Sequence, residues 1–293
     1  MMPTKQSIYI HFICIVVFLS LTAITFSQDI PGCDLRFIDH LVNKGYFEEA
    51  LFLLDSQECS SLQLNDSVDY FRGWSLYSLN RLIPSSESLI KIPPTSSFYP
   101  KSHFYAAYNY TQSGNFDQAT ETLDKIEMST SRLISLRDFE IAGIELLRGN
   151  LSSFDEWFNN TRFDQPELNE SAGKLLKISD EVRNHRSKSP LVAGLLSAII
   201  PGSGKLYAGK KGEAVATFLS TAWIGFVTWE NYRKCGLKSF RTITFGTFFA
   251  GAYASNIYGS VFSVSVVENN YRENVKSTIL FNMHIPINTI FNK

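Results

Sequence analysis

A short helix-turn-helix pattern returns four times in the first half of the 293-residue chain at almost constant spacing. Its register marks are Gly45 in NKGYFEEALFLLD, Asn80 in SLNRLIPSSESLI, Gly114 in QSGNFDQATETLD and Gly149 in LRGNLSSFDEWF, separated by 35, 34 and 35 residues. Five residues after the marks stand Ala50, Ser85, Ala119 and Phe154, and nine after stand Leu54, Leu89, Leu123 and Phe158. Small followed by large apolar is a packing pattern. Seven residues before the marks stand Ile38, Gly73, Ala107 and Ala142, where three small side chains let antiparallel helices approach closely. A single helix pair cannot cover its own apolar stripe, so such units stack. The pattern predicts an all-α fold whose residues 28–188 form a helical solenoid of about four helix pairs.

In HFYAAYNYTQSGNFDQATETLDKI, the residues Ala107, Tyr110, Gly114, Ala119 and Leu123 fall on small, aromatic and glycine positions. Through them the chain resembles the tetratricopeptide-repeat family over residues 33–185. It departs from that pattern at Phe154, which replaces a small residue, and at Ser78, Leu79 and Asn80, where the turn lacks glycine. The resemblance implies a protein-binding groove, and candidate residues for it are aromatic. Tyr70, Trp74 and Tyr77 fall at i, i+4 and i+7 on one helix, and Phe104 and Tyr108 extend the stripe into the third pair. The same spacing equally suits a core seam between units.

The net charge of −1 hides an asymmetry. Residues 28–188 carry 24 Asp or Glu and 16 Lys or Arg, net −8, whereas residues 189–293 carry 4 and 10, net +6. An acidic solenoid is a poor partner for nucleic acid, whose phosphates need clustered Lys and Arg. Residues 1–27 read as a secretory signal peptide, with Lys5 ahead of an apolar stretch from Ile8 to Phe26; an uncleaved anchor is the alternative. Export places Cys33 and Cys59 in an oxidising compartment, at helix ends that lie side by side in an antiparallel pair. They form either a disulfide or two independent thiols.

At Ser189 the composition changes, and residues 189–267 read as a membrane domain. Ser189 caps a helix that starts at Pro190, and Pro201 with Gly202 ends it. About a dozen residues rise only about 18 Å, so helix 189–200 is interfacial or re-entrant. Residues 213–232 and 241–267 read as spans, the second without a charge from Thr242 to Val267. If only these two span, the basic loop of Arg233, Lys234, Lys238 and Arg241 between them is cytoplasmic, as the positive-inside bias favours; if helix 189–200 also spans, the loop is outside. Thr247, Gly251, Ser255, Gly259 and Ser263 recur every fourth residue as a helix-packing ridge, serving intrachain packing or self-association. Asn256 needs a hydrogen-bond partner at that depth.

The segment SPLVAGLLSAIIPGSGKLYAGKKGEAVATF holds Pro201, Gly202 and Gly204, then Tyr207 and Gly209, then Gly212. It resembles the two-transmembrane domain family over residues 188–267, departing at Leu206 and Lys205. The resemblance implies a membrane hairpin with a structured glycine turn and no chemistry. The tail, residues 268–293, alternates weakly, as a short strand or interfacial segment does, and Pro286 weakens a central strand.

Catalytic signatures are lacking. PGSGK resembles a phosphate-binding loop, but Ile199 stands where glycine is needed and Leu206 where a hydroxyl is needed. His11, His40, His103, His185 and His284 are scattered with no metal-ligand spacing. No cofactor, metal, nucleotide or nucleic acid is expected. The expectation is a non-enzymatic, membrane-anchored scaffold of the bacterial inner membrane, presenting its solenoid to other envelope proteins on the periplasmic side. The alternatives are a transport or secretion subunit worked by the glycine-rich hairpin, or an enzyme with an unrecognised site.

Overall fold

Glycine, or asparagine in its place, ends four helices in one and the same way and so sets the course of the first half of the chain. The computed structural model describes residues 33–56, 66–127 and 130–291. The expected signal peptide and Cys59 lie outside them. Thirteen helices and no strand occur among the described residues. The first eight form four pairs: α1 (Leu35–Lys44) with α2 (Phe47–Leu54), α3 (Asp66–Ser78) with α4 (Leu82–Leu89), α5 (Tyr99–Gln112) with α6 (Phe116–Asp124), and α7 (Ser131–Arg148) with α8 (Leu151–Asn160). Then follow α9 (Pro166–Asn184), α10 (Pro190–Ile199), α11 (Ser203–Ala208), α12 (Lys211–Cys235) and α13 (Phe240–Phe291).

Gly45, Asn80, Gly114 and Gly149 all take left-handed backbone, with φ of 82°, 58°, 82° and 78°. The amide after each mark donates back five residues: Tyr46 to Leu41, Arg81 to Leu76, Asn115 to Tyr110 and Asn150 to Glu145, at 2.8–2.9 Å. This closure satisfies carbonyls that a helix end would otherwise leave orphaned. The second helix then opens at one register, with Ala50, Ser85, Ala119 and Phe154 donating to Tyr46, Arg81, Asn115 and Asn150. Phe154 is fully buried there although it is large.

The columns meet as their sizes require. A Cβ on Gly73 would stand 2.5 Å from the Leu89 side chain, and Ser85 Oγ donates to the Gly73 carbonyl at 2.7 Å. Leu54, Leu89 and Leu123 have no exposed surface, while Phe158 is half-buried. Full burial of each such leucine contributes about 1.5–3 kcal/mol.

The chain divides into two units between Ile92 and Pro93. In the first, α3 packs on α1 and α2 around Ile38, Val42, Ala50, Leu54 and Val68. Cys33 at its start is disulfide-bonded, and the expected partner Cys59 lies outside the described residues. In the second, α7 packs on α5 and α6, α9 packs on α7, and α10–α13 follow. The change of character expected at Ser189 therefore falls inside the second unit. The 52-residue α13 ties both parts together, packing on α10, α11 and α12 and also on α9, α7 and α5.

Two expectations are corrected here. Residues 268–291 are neither strand nor separate tail but the continuation of α13. Their buried residues Ile279, Leu280, Met283 and Ile287 recur every three to four positions, and that helical period overrides the alternation. At the expected spans 213–232 and 241–267 helices do stand, but among the described residues no helix is long and apolar enough to cross a membrane. Both have ample length at 25 and 52 residues. Thr, Ser, Gly and Tyr along them, with Asn256 and Glu230, dilute their apolar character.

Candidate functional site

The aromatic positions expected to bind a partner are not open in the second unit. Phe104 and Tyr108 lie on α5, which α7 flanks, and the last third of α13 lies against both helices. Phe104 is fully buried with its ring 5.6 Å from that of Phe291. The Tyr108 hydroxyl donates to the Leu280 carbonyl at 3.3 Å, and its ring stands 4.9 Å from the His284 imidazole. Tyr105 meets the same imidazole edge-on at 6.1 Å. On α7, a Cβ at Gly143 would lie 2.6 Å from Met283 Sδ, so the missing side chain makes room for Met283. Burial pushes the His284 pKa down.

Tyr70, Trp74 and Tyr77 belong to the first unit. Their rings form a ladder along α3, stacked at 6.2 Å between Tyr70 and Trp74 and tilted at 5.4 Å between Trp74 and Tyr77. Trp74 rests against the core of that unit, and all three remain half-buried. Burial pushes the Tyr70 hydroxyl up to about 12, with the carboxylate of Asp39 adding to it. The ladder is therefore part packing and part surface.

The glycine turn is a built feature. Gly202 and Gly209 bracket α11 in left-handed backbone at φ 84° and 94°. A Cβ on Gly204 would run into the Ala193 carbonyl, and one on Gly202 into the Ala214 carbonyl, so only glycine permits these approaches. Asn256 receives the partners it needs: its Oδ1 accepts from the Gly202 amide at 2.8 Å and its amide donates to the Ser197 carbonyl at 3.1 Å. Ser197 Oγ accepts from the Gly204 amide at 2.9 Å and donates to Ser260 Oγ at 2.6 Å. Ser189 caps α10 and Pro190 opens it, while Tyr207 accepts from the Ser189 amide at 3.2 Å. Pro201 sits in the turn, and Gly212 in the first turn of α12 faces open space.

The small-residue ridge divides. Thr247, Gly251 and Ser255 are exposed and line an open apolar groove of about 610 Å³ with Ile224, Ile243 and Phe248. Gly259 is half-buried beside the Lys205 side chain, and Ser263 is buried. The inward seam of α13 runs instead through Asn256, Ser260 and Val264. Lys205 Nζ donates to Thr217 Oγ1 at 2.8 Å inside the hairpin.

A clamp that the sequence did not advertise joins α9 to α13. His185 stacks on Tyr271 at 3.7 Å and meets Glu268 at 2.9 Å, and the Lys188 amide donates to the same carboxylate at 3.0 Å. The His185 hydrogen bond, followed by that of Lys188, holds the Glu268 carboxyl below its ordinary range. The 83-residue separation hides the pair from any spacing argument. Glu140 on α7 is likewise unheralded. It is buried with no charged partner among the described residues, and desolvation holds its pKa well above the carboxylate range.

Among the described residues no group of three His, Cys, Asp or Glu could hold a metal. The chain matches no protein-family model, no curated protein and no solved structure.

Proposed function

We propose that the protein is a non-enzymatic scaffold seated on a membrane of the cell envelope, with tetratricopeptide-like helix pairs held at the bilayer as a surface for partner proteins. The observation that carries this reading is the surface of α10, α12 and α13. Leu191, Ile199, Trp223, Phe248 and Phe262 are 64–77% exposed, and none of the described residues covers them. Soluble monomers rarely expose contiguous apolar patches beyond a few hundred Å². A lipid phase accounts for such a surface. The basic and aromatic residues at its edges support the same seat: Lys210 and Lys211 at one end of α12, and Trp229, Tyr232, Arg233 and Lys234 at the other, suit headgroups.

Four helix pairs with one turn geometry support the solenoid half of the reading, since a repeated hairpin stacks to hide its apolar face. Fractionation of the full chain tests the seat. It is expected in the membrane pellet after high-salt and alkaline washes and in solution only with detergent. Release by salt alone would leave the apolar surface unexplained and the proposal untenable.

A further inference from the structure

We propose that the C-terminal segment of α13, residues 278–291, occupies a helix-binding groove between α5 and α7 as a displaceable resident, and that the groove's partner is an amphipathic helix with the same apolar register. The resident shows what the groove selects. Leu280, Met283, His284 and Ile287 fall at i, i+3, i+4 and i+7, the anchor spacing of a helix laid in a groove. Met283 and Ile287 are fully buried, His284 lies against Tyr105 and Tyr108, and Phe291 closes the end against Phe104. Gly143 leaves room for Met283 where any side chain would intrude. The opposite face of the segment is open, with Phe281 64% exposed.

The apolar fit is good and the polar fit is poor, which is what marks the segment as exchangeable. Pro286 is buried within the helix and has no N–H to give to the Asn282 carbonyl. Asn282 Oδ1 is buried and meets no donor among the described residues. Glu140 stands three residues before Gly143, a spacing that puts the two on neighbouring positions of one α7 face, and its Oε1 also meets no donor among the described residues. A partner helix that supplies a donor to Glu140 and an intact backbone at the position of Pro286 would gain both interactions. Burying polar atoms without partners costs stability locally, so the segment opens ahead of the helices that hold it.

This inference rests on the reading of the repeats as a partner surface. The probe is a fluorescein-labelled synthetic peptide of residues 276–291, titrated into the full chain in detergent micelles, wild type and Ile287→Asp. The wild type pays for displacing its resident, so the apparent affinity of Ile287→Asp is expected to be at least about tenfold tighter. A peptide carrying the same Ile287→Asp change is expected not to bind. Equal, weak binding by both chains, with helical content retained, would overturn the proposal. Hydrogen exchange of the wild type gives a second reading that needs no variant. Amides of 279–291 are expected to exchange at least about tenfold faster than those of α5 and α7. Equal protection would make the segment ordinary core and overturn the proposal. Neither readout involves lipid, so their failure and a failure of membrane seating are separate results.

Discussion

Asn80 shows how far a single residue carries the repeat. Among the described residues it is the one non-glycine at positive φ, and it closes its helix as the three glycines close theirs. Asparagine tolerates left-handed backbone where a β-branched residue does not. Asn80→Val is therefore expected to lower stability by about 1–2 kcal/mol and Asn80→Gly to leave it nearly unchanged, as read by chemical denaturation. Glu140 gives a prediction in pH. Its folded pKa is raised by burial, so the stability it permits is fully present below the ordinary carboxylate pKa and is lost as pH rises through the folded value. Melting temperature should fall over that range in the wild type and lose this slope in Glu140→Gln; an unchanged slope would show that Glu140 is not its source. The four marks were legible because glycine and asparagine announce left-handed backbone. Glu140 was not, because nothing local distinguishes a buried carboxylate from a solvated one.

Among the elements, the glycine hairpin was largely readable and α13 was not. Ser189, Pro190, Pro201 and Gly202 fix the ends of α10 through local chemistry, and the helix runs as those signals direct. The partners of Asn256 lie more than fifty residues away, and only the fold brings them together. Asn256→Ala strands the Gly202 amide and the Ser197 carbonyl in the interior. At about 1–3 kcal/mol for each orphaned group, a loss of roughly 2–6 kcal/mol is expected in a detergent-solubilised melt. A loss below about 0.5 kcal/mol would mean that the lock is ornamental. For α13 the sequence signals at the C-terminal end were a weak alternation, as of a short strand or interfacial segment, and Pro286, which weakens a central strand. Packing of Met283 and Ile287 against α5 and α7 outweighed them, as tertiary burial does over weak propensities. The exposed half of the small-residue ridge has the same lesson: period alone showed a stripe but not which way it faces.

At the scale of the molecule, the second unit joins two chemistries through one helix. Its repeats bury their apolar columns internally, whereas α10, α12 and the first half of α13 turn theirs outward. The sequence separated these halves by composition. It could not show that the second half reaches back to fill the groove of the first, because that depends on how far α13 continues as helix. The chain's four tryptophans test the central claim most directly, since Trp74 and Trp157 lie on repeat helices and Trp223 and Trp229 on α12. Single-tryptophan versions of the full chain can be reconstituted in bilayers with brominated acyl chains, which quench only indoles in contact with them. The account predicts strong quenching of Trp223 and Trp229 and none of Trp74 or Trp157. Equal fluorescence with and without bromine for all four would show that the apolar helices do not meet lipid.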